Sequence, residues 1–187
     1  MATSVTSLCT ALVLLSALPD PNVLEAQELP PPAYQVAAAQ ARVPSALLFA
    51  VALQESGKTF KGRQVPWPWT LNVAGQPRRY ATRREACTAL CQTLQTTPAT
   101  RVDVGLAQLN VGHQQHRVRR PCDLLDPPRN LRIAATILRE QYRPDESWLM
   151  AAGRYHRPAG GPPALRYRHN VGRYLNRIIA TAQGDPQ

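Results

Sequence analysis

One carboxylate closes the most apolar stretch of this chain. Ala46 to Leu53 is an unbroken apolar run, and Gln54, Glu55, Ser56 and Gly57 follow it. A carboxyl in apolar surroundings resists ionisation, and at the C-terminal end of a helix the negative pole of the dipole opposes its charge again. A carboxyl kept protonated near neutral pH is what a general acid needs. The same residue at a frayed helix end would be an ordinary solvated carboxylate, and on this stretch alone both readings stand. Asp103 is the nearest thing to a second carboxylate. It can hold a water, or it can cap the short turn beginning at Val104, which is the favoured reading. Gln108 and Asn110 are amides amid apolar neighbours. If buried they need partners, and a polymer rich in hydroxyls and amides would supply them.

The elements that must position these residues are mostly helical. Tyr34–Arg42 is Ala-rich, and Pro44 separates it from the Glu55 helix, for which Ser45 is the expected N-cap. A helix apolar all round belongs in the interior, so Glu55 falls where a buried helix reaches the surface. Gly57 is expected to stop it in a left-handed conformation. Lys58 to Pro68 reads as irregular, broken by Gly62, Pro66 and Pro68. Trp69–Val73 and Arg79–Ala81 flank the turn Ala74-Gly75-Gln76-Pro77 as a short hairpin. Trp67 and Trp69 read as aromatics that pack this hairpin on the core rather than as stacking platforms. Thr82-Arg83-Arg84-Glu85 is a capping box that opens a further helix. Arg101–Asn110 is too short for a long helix and too polar for a core strand. Asp126-Pro127 opens a helix to about Gln141, with Leu131, Ala134, Ala135 and Leu138 on one stripe. Ser147 caps a shorter helix to Tyr155, and the last helix runs from Ala164 towards Ala182. The expected fold is a single, mainly α domain with one small β-hairpin.

At 187 residues the chain suits one domain with terminal segments to spare. Residues 1–26 resemble a secretory signal peptide with an apolar core from Leu8 to Leu18, shorter than the roughly 20 residues a membrane span needs. The expected organisation is therefore a signal peptide at 1–26, a Pro/Ala-rich leader with the first helix at 27–43, and the main domain at 44–182. Export to the periplasm follows, with no stable membrane span once the signal is removed. The 22 basic residues face 12 acidic ones, and Asp20 and Glu25 would leave with the signal, so the net charge rises from +10 to +12. That balance favours acidic partners. The basic residues are spread from Lys58 to Arg177 and no nucleic-acid motif accompanies them, so no nucleic-acid partner is expected. Cys87, Cys91 and Cys122 remain in an oxidising compartment, which allows one disulfide, read here as Cys122 with one of the other two. His113 and His116 between them depart from zinc spacings, so neither a metal nor a cofactor is expected.

Several separated stretches also resemble one family. Ala50-Val-Ala-Leu-Gln-Glu55-Ser56-Gly57 is similar to the Glu-Ser signature of the soluble-lytic-transglycosylase-like family. Asp103-Val-Gly105-Leu106-Ala107-Gln108-Leu109-Asn110 resembles its Gly-Leu-Met-Gln-Ile-Asn motif, with Ala107 at the Met. Leu125-Asp126-Pro127-Pro128-Arg129-Asn130-Leu131 resembles its Asp-Pro-x-x-Asn-Ile segment. Tyr155-His156 stands where the family has Tyr-Asn, and Tyr167–Val171 resembles the Tyr-x-x-x-Val of the last helix, a pattern Tyr174 also fits. The resemblance covers roughly residues 44 to 178, and the mixture looks most like the transglycosylases of conjugative elements and type IV secretion systems.

The resemblance implies a lysozyme-like domain that cleaves the glycan strands of peptidoglycan between N-acetylmuramic acid and N-acetylglucosamine and closes a 1,6-anhydro ring without water. Glu55 would be acid and then base. Ser56, counted with the substrate-binding residues, would orient Glu55 or simply satisfy the helix end. Gln108 and Asn110 would bind acetamido groups of the substrate, against hydrogen bonds to nearby loops. Tyr155 and Tyr167 would line the substrate cleft, against the reading of core aromatics with satisfied hydroxyls. Ala107 would widen the cleft. If Asp103 held a water, the protein would be a lysozyme-type hydrolase instead. A catalytically idle peptidoglycan-binding component is the rival from outside enzymology. Conjugation or type IV secretion proteins are the partners the resemblance suggests.

Overall fold

The computed structural model describes residues 29–183; the expected signal peptide lies outside them. The fold is mainly α, with seven α-helices and short antiparallel strands among the described residues. Helix α1 (Pro32–Ala41) and helix α2 (Ser45–Ser56) are separated by the tight Arg42–Pro44 connection. Tyr34, Ala37 and Ala38 of α1 are buried, so this helix belongs to the same packed unit as the rest. Leu47 through Leu53 of α2 are all buried, as an all-round apolar helix requires. Helix α5 (Pro127–Gln141) packs against α1, and helix α7 (Gly161–Gln183) packs against both α2 and α6 (Trp148–His156). The catalytic candidate thus rides on the innermost helix, and its neighbours hold that helix from several sides. No single described helix is long and apolar enough to cross a membrane.

The ends of α2 correct two expectations. Ser45 is the first helical residue rather than the cap, and Pro44 occupies the cap position without a side-chain hydrogen bond. Gly57 is not left-handed: its φ of −53° and ψ of 135° lead straight into strand β1 (Gly57–Phe60). Glycine is required there by close approach, because a Cβ would lie 2.2 Å from the Leu53 carbonyl oxygen.

Strand content exceeds the single expected hairpin. β1 pairs antiparallel with β2 (Arg63–Pro66), in the segment read as irregular. Only four residues a side, with Gly62 at the tip, this ribbon is too short for alternation to show in the sequence. A hairpin stands where one was expected, but β3 (Thr70–Val73) pairs with β4 (Gln76–Arg79) rather than with Arg79–Ala81, so Gln76 and Pro77 belong to the strand and not to the turn. Its turn is the two residues Ala74 and Gly75, both at positive φ (53° and 88°), the geometry that matches the twist of a tight hairpin. Pro77 sits within β4, which is tolerated because β4 is the exposed edge of its sheet. The stretch Arg101–Asn110, judged too polar for a core strand, supplies β5 (Val102–Val104) and β6 (Leu109–Asn110), which extend this sheet to the order β4-β3-β5-β6. Asp103 therefore lies in a strand and caps no turn.

The capping box holds as read: Thr82 accepts from the Glu85 amide and opens helix α3 (Arg83–Thr93). Asp126 caps α5 by accepting from the Arg129 amide. Ser147 occupies the cap position of α6 but makes no side-chain cap bond. The last helix, α7, starts at Gly161, three residues before the expected Ala164. Cys122 pairs with Cys87, and Cys91 is free and exposed.

Candidate active site

Glu55 emerges in the last turn of α2, where the interior ends. Its side chain is partly buried, and burial pushes its pKa up to about 7 from 4.5; the neighbouring Asp103 raises it further, while a hydrogen bond from Tyr167 opposes the rise. That bond runs from the Tyr167 hydroxyl to Glu55 Oε1 at 2.7 Å. It decides between the two tyrosines of the repeated pattern: Tyr167, on the first turns of α7, meets the acid. Tyr167 is itself buried, and its phenol is held well above its usual range by burial and then by the charge of Glu55.

The Ser56 hydroxyl is directed to backbone carbonyls, that of Ala52 at 3.2 Å and that of Leu106, rather than to the Glu55 carboxyl. It donates to the Leu106 carbonyl at 2.7 Å, tying the end of α2 to the Gly105–Gln108 loop between β5 and β6. Asn130, fully enclosed near the start of α5, holds the same loop from behind. Its Nδ2 donates to the carbonyls of Val104 and Leu124, and its Oδ1 accepts from the Ala107 amide. Gly105 has φ +85°, and a Cβ there would lie 2.2 Å from Asn130 Nδ2. Both the backbone turn and the close packing demand glycine. Tyr155 completes the clamp by donating its hydroxyl to the Ala107 carbonyl at 2.7 Å. The Ala107 side chain is buried, so it lines no open cleft, contrary to expectation.

The amides are largely occupied by the fold. Gln108, itself at positive φ (46°), donates from Nε2 to the Gly105 and Thr70 carbonyls. Asn110 donates to the Thr100 carbonyl and to Asp103 Oδ1 at 2.9 Å, and accepts from the His113 amide as cap of the short helix α4 (Val111–Gln114). The Asn110 side chain is thus spent on structure, as is Nε2 of Gln108.

Asp103 shares the site. Burial raises its pKa, opposed first by the Asn110 hydrogen bond and then by the charges of His113 and His156. His156 lies flat on the Tyr167 ring, with centroids 4.4 Å apart and planes within 2°. Burial and then Arg157 lower its pKa, while Asp103 raises it. Neither histidine is among the expected site residues: His113 enters there only as a zinc ligand to be weighed, and His156 only as a departure from the Tyr-Asn motif. The signal for His156 was present, since it occupies the second position of the Tyr-Asn motif. His113 offered no signal for a place beside Asp103. A surface cavity of about 880 Å³ lined by Leu94, Pro98, Val111, His116 and Arg120 contains none of the residues around Glu55.

The family described as the transglycosylase SLT domain matches residues 32–173, more than half of the chain, and the chain belongs to that family. Its fold is accordingly the mainly α, lysozyme-like one, and the family's members degrade peptidoglycan as lytic transglycosylases. The match begins at the first residue of α1, the helix already seen buried in the common core. Searches among curated proteins and among solved structures found no match.

Proposed function

We propose that the protein is a lytic transglycosylase in which Glu55 alone serves as acid and then as base. The observation that carries this reading is a carboxyl with its pKa near 7, fixed through one oxygen by Tyr167. In the first half, protonated Glu55 gives its proton to the glycosidic oxygen between N-acetylmuramic acid and N-acetylglucosamine. The C1–O bond breaks, and the N-acetylglucosamine leaves with a free hydroxyl. The acetamido oxygen of the muramoyl residue supports the charge at C1. In the second half, the Glu55 carboxylate takes the proton of the 6-hydroxyl and O6 bonds to C1. Glu55 is protonated again, and no water is consumed. One residue can act in both directions because its pKa lies near the working pH. The Tyr167 hydroxyl supports the carboxylate formed midway and leaves the other carboxyl oxygen for the sugar.

Asp103 motivates a second reading. It lies close enough to Glu55 to act on its charge, and glycosidases that use water have two carboxyls flanking the bond. A lysozyme-type hydrolysis would employ it as the base. The hydrogen bond from Asn110 favours a supporting role instead.

The Glu55→Gln variant tests the acid directly. It is expected to fold and to release no muropeptides from sacculi, and full activity in the folded variant would end the proposal.

The setting we propose is periplasmic, where local opening of the wall would make way for a conjugation or secretion apparatus. Its supports are the signal-like N-terminus, the Cys87–Cys122 disulfide and the motif mixture described above.

A further inference from the structure

Tyr155 and His156 close helix α6, and each reaches a different part of the site. Tyr155 holds the Gly105–Gln108 loop through the Ala107 carbonyl, whereas His156 makes no hydrogen bond to it. The His156 imidazole instead covers a face of Tyr167, parallel to within 2°. His156 is exposed while Tyr167 is 5% exposed, so the imidazole is the layer between the phenol and solvent. Tyr167 follows the Arg157–Gly160 connection and its positive-φ glycines Gly160 and Gly161, and the stack ties the end of α6 to the start of α7 across it. The phenol so held is the one that donates to Glu55.

We propose that His156 is a positioning residue for Glu55, acting through Tyr167: its ring fixes the plane of the phenol, and thereby the direction of the hydrogen bond to the acid. The inference deepens the proposed function and rests on Glu55 being the acid. Aromatic rings at this spacing gain from offset or parallel packing, and a flat neighbour restricts rotation about the Tyr167 side chain. A hydroxyl aimed at Oε1 stabilises the carboxylate, so this contact lowers the pKa that burial has raised. If the stack is lost, the phenol turns away for part of the time and Glu55 becomes a weaker acid with a less stabilised midpoint. The groups that face Glu55 are Tyr167 from α7, Asp103 from β5 and Tyr155 from α6. Of these, only Tyr167 touches His156 by a ring stack.

The effect has a signature that a purely structural role lacks. Misdirected positioning costs kcat rather than KM, and H156A is expected to lose about tenfold in kcat on a defined soluble peptidoglycan oligomer with KM unchanged. The alkaline limb of its pH profile moves to higher pH, because the Tyr167 bond that lowers the Glu55 pKa is weakened. H156F, which keeps a flat ring, recovers most of the lost kcat. Y167F shifts the limb at least as far as H156A, and the double variant shifts it no further than Y167F alone. The same series is followed without turnover by carbon-13 titration of the Glu55 carboxyl in the full chain. A wild-type titration and wild-type kcat in H156A would overturn the inference. So would an H156F variant as impaired as H156A, or additive shifts in the double variant. Should the carboxyl titrations shift as stated while no variant and no wild type degrades peptidoglycan, the positioning role stands and the proposed function falls.

Discussion

At the scale of the residue, the chemistry comes down to one carboxyl made reluctant to ionise. Burial dominates the Glu55 shift, and the Tyr167 hydroxyl trims it to about 7. The same shift bears on stability. Glu55 titrates at 4.5 in the unfolded chain and at about 7 in the folded one, so the contribution is fully present below pH 4.5. It is lost as pH rises through 7, because the unfolded state ionises more easily. Glu55→Gln does not titrate, so it is expected to match the wild type at pH 4 and to exceed it at pH 8 by on the order of 2–3 kcal/mol. Denaturant unfolding at the two pH values checks this, and equal stabilities at pH 8 would show that the carboxyl is solvated.

At the scale of the element, the site is a loop held from three sides. Ser56 from α2, Asn130 from α5 and Tyr155 from α6 all bond to the backbone between Val104 and Ala107. Asn130→Ala would strand the Ala107 amide and leave the Val104 and Leu124 carbonyls without that partner. It is expected to cost about 3 kcal/mol and to lower activity through the displaced loop. A melting temperature unchanged from wild type would contradict this. These clamps also mark what the sequence could and could not show. The Glu55 helix was legible because an unbroken apolar run has only one place to go, and the Thr82 and Asp126 caps because their partners lie three residues away. The β1–β2 ribbon was not, because four residues a side are too few for alternation to show, and β5 was not, because its register comes from partners distant in the chain: Asn72 opposite Asp103, for instance. Asp103 reads locally as a cap, and only the sheet makes it a strand residue. Amides at 108 and 110 suggested substrate contacts, yet the hydrogen bonds they make are to the fold itself, to the Thr70, Gly105 and Thr100 carbonyls and the Asp103 carboxylate, partners that only the folded sheet brings within reach.

At the scale of the whole molecule, the packed helices fix α2, and the disulfide ties α3 to the Pro121–Leu125 turn that precedes α5. The Cys87–Cys122 bridge closes a sequence separation of 35 residues, so the Cys87→Ser/Cys122→Ser double variant is expected to lose about 3–4 kcal/mol. Thermal unfolding reads that loss, and a variant as stable as wild type would mean the bridge is idle. In the proposed mechanism the chemistry uses one carboxyl, one phenol and the substrate's acetamido and hydroxyl groups. The central claim, that Glu55 closes the muramoyl ring without water, is tested most directly by digesting sacculi in oxygen-18 water and weighing the released muropeptides. The account predicts 1,6-anhydro ends free of oxygen-18. Reducing ends carrying one oxygen-18 atom would contradict it and place a water, held by Asp103, in the reaction.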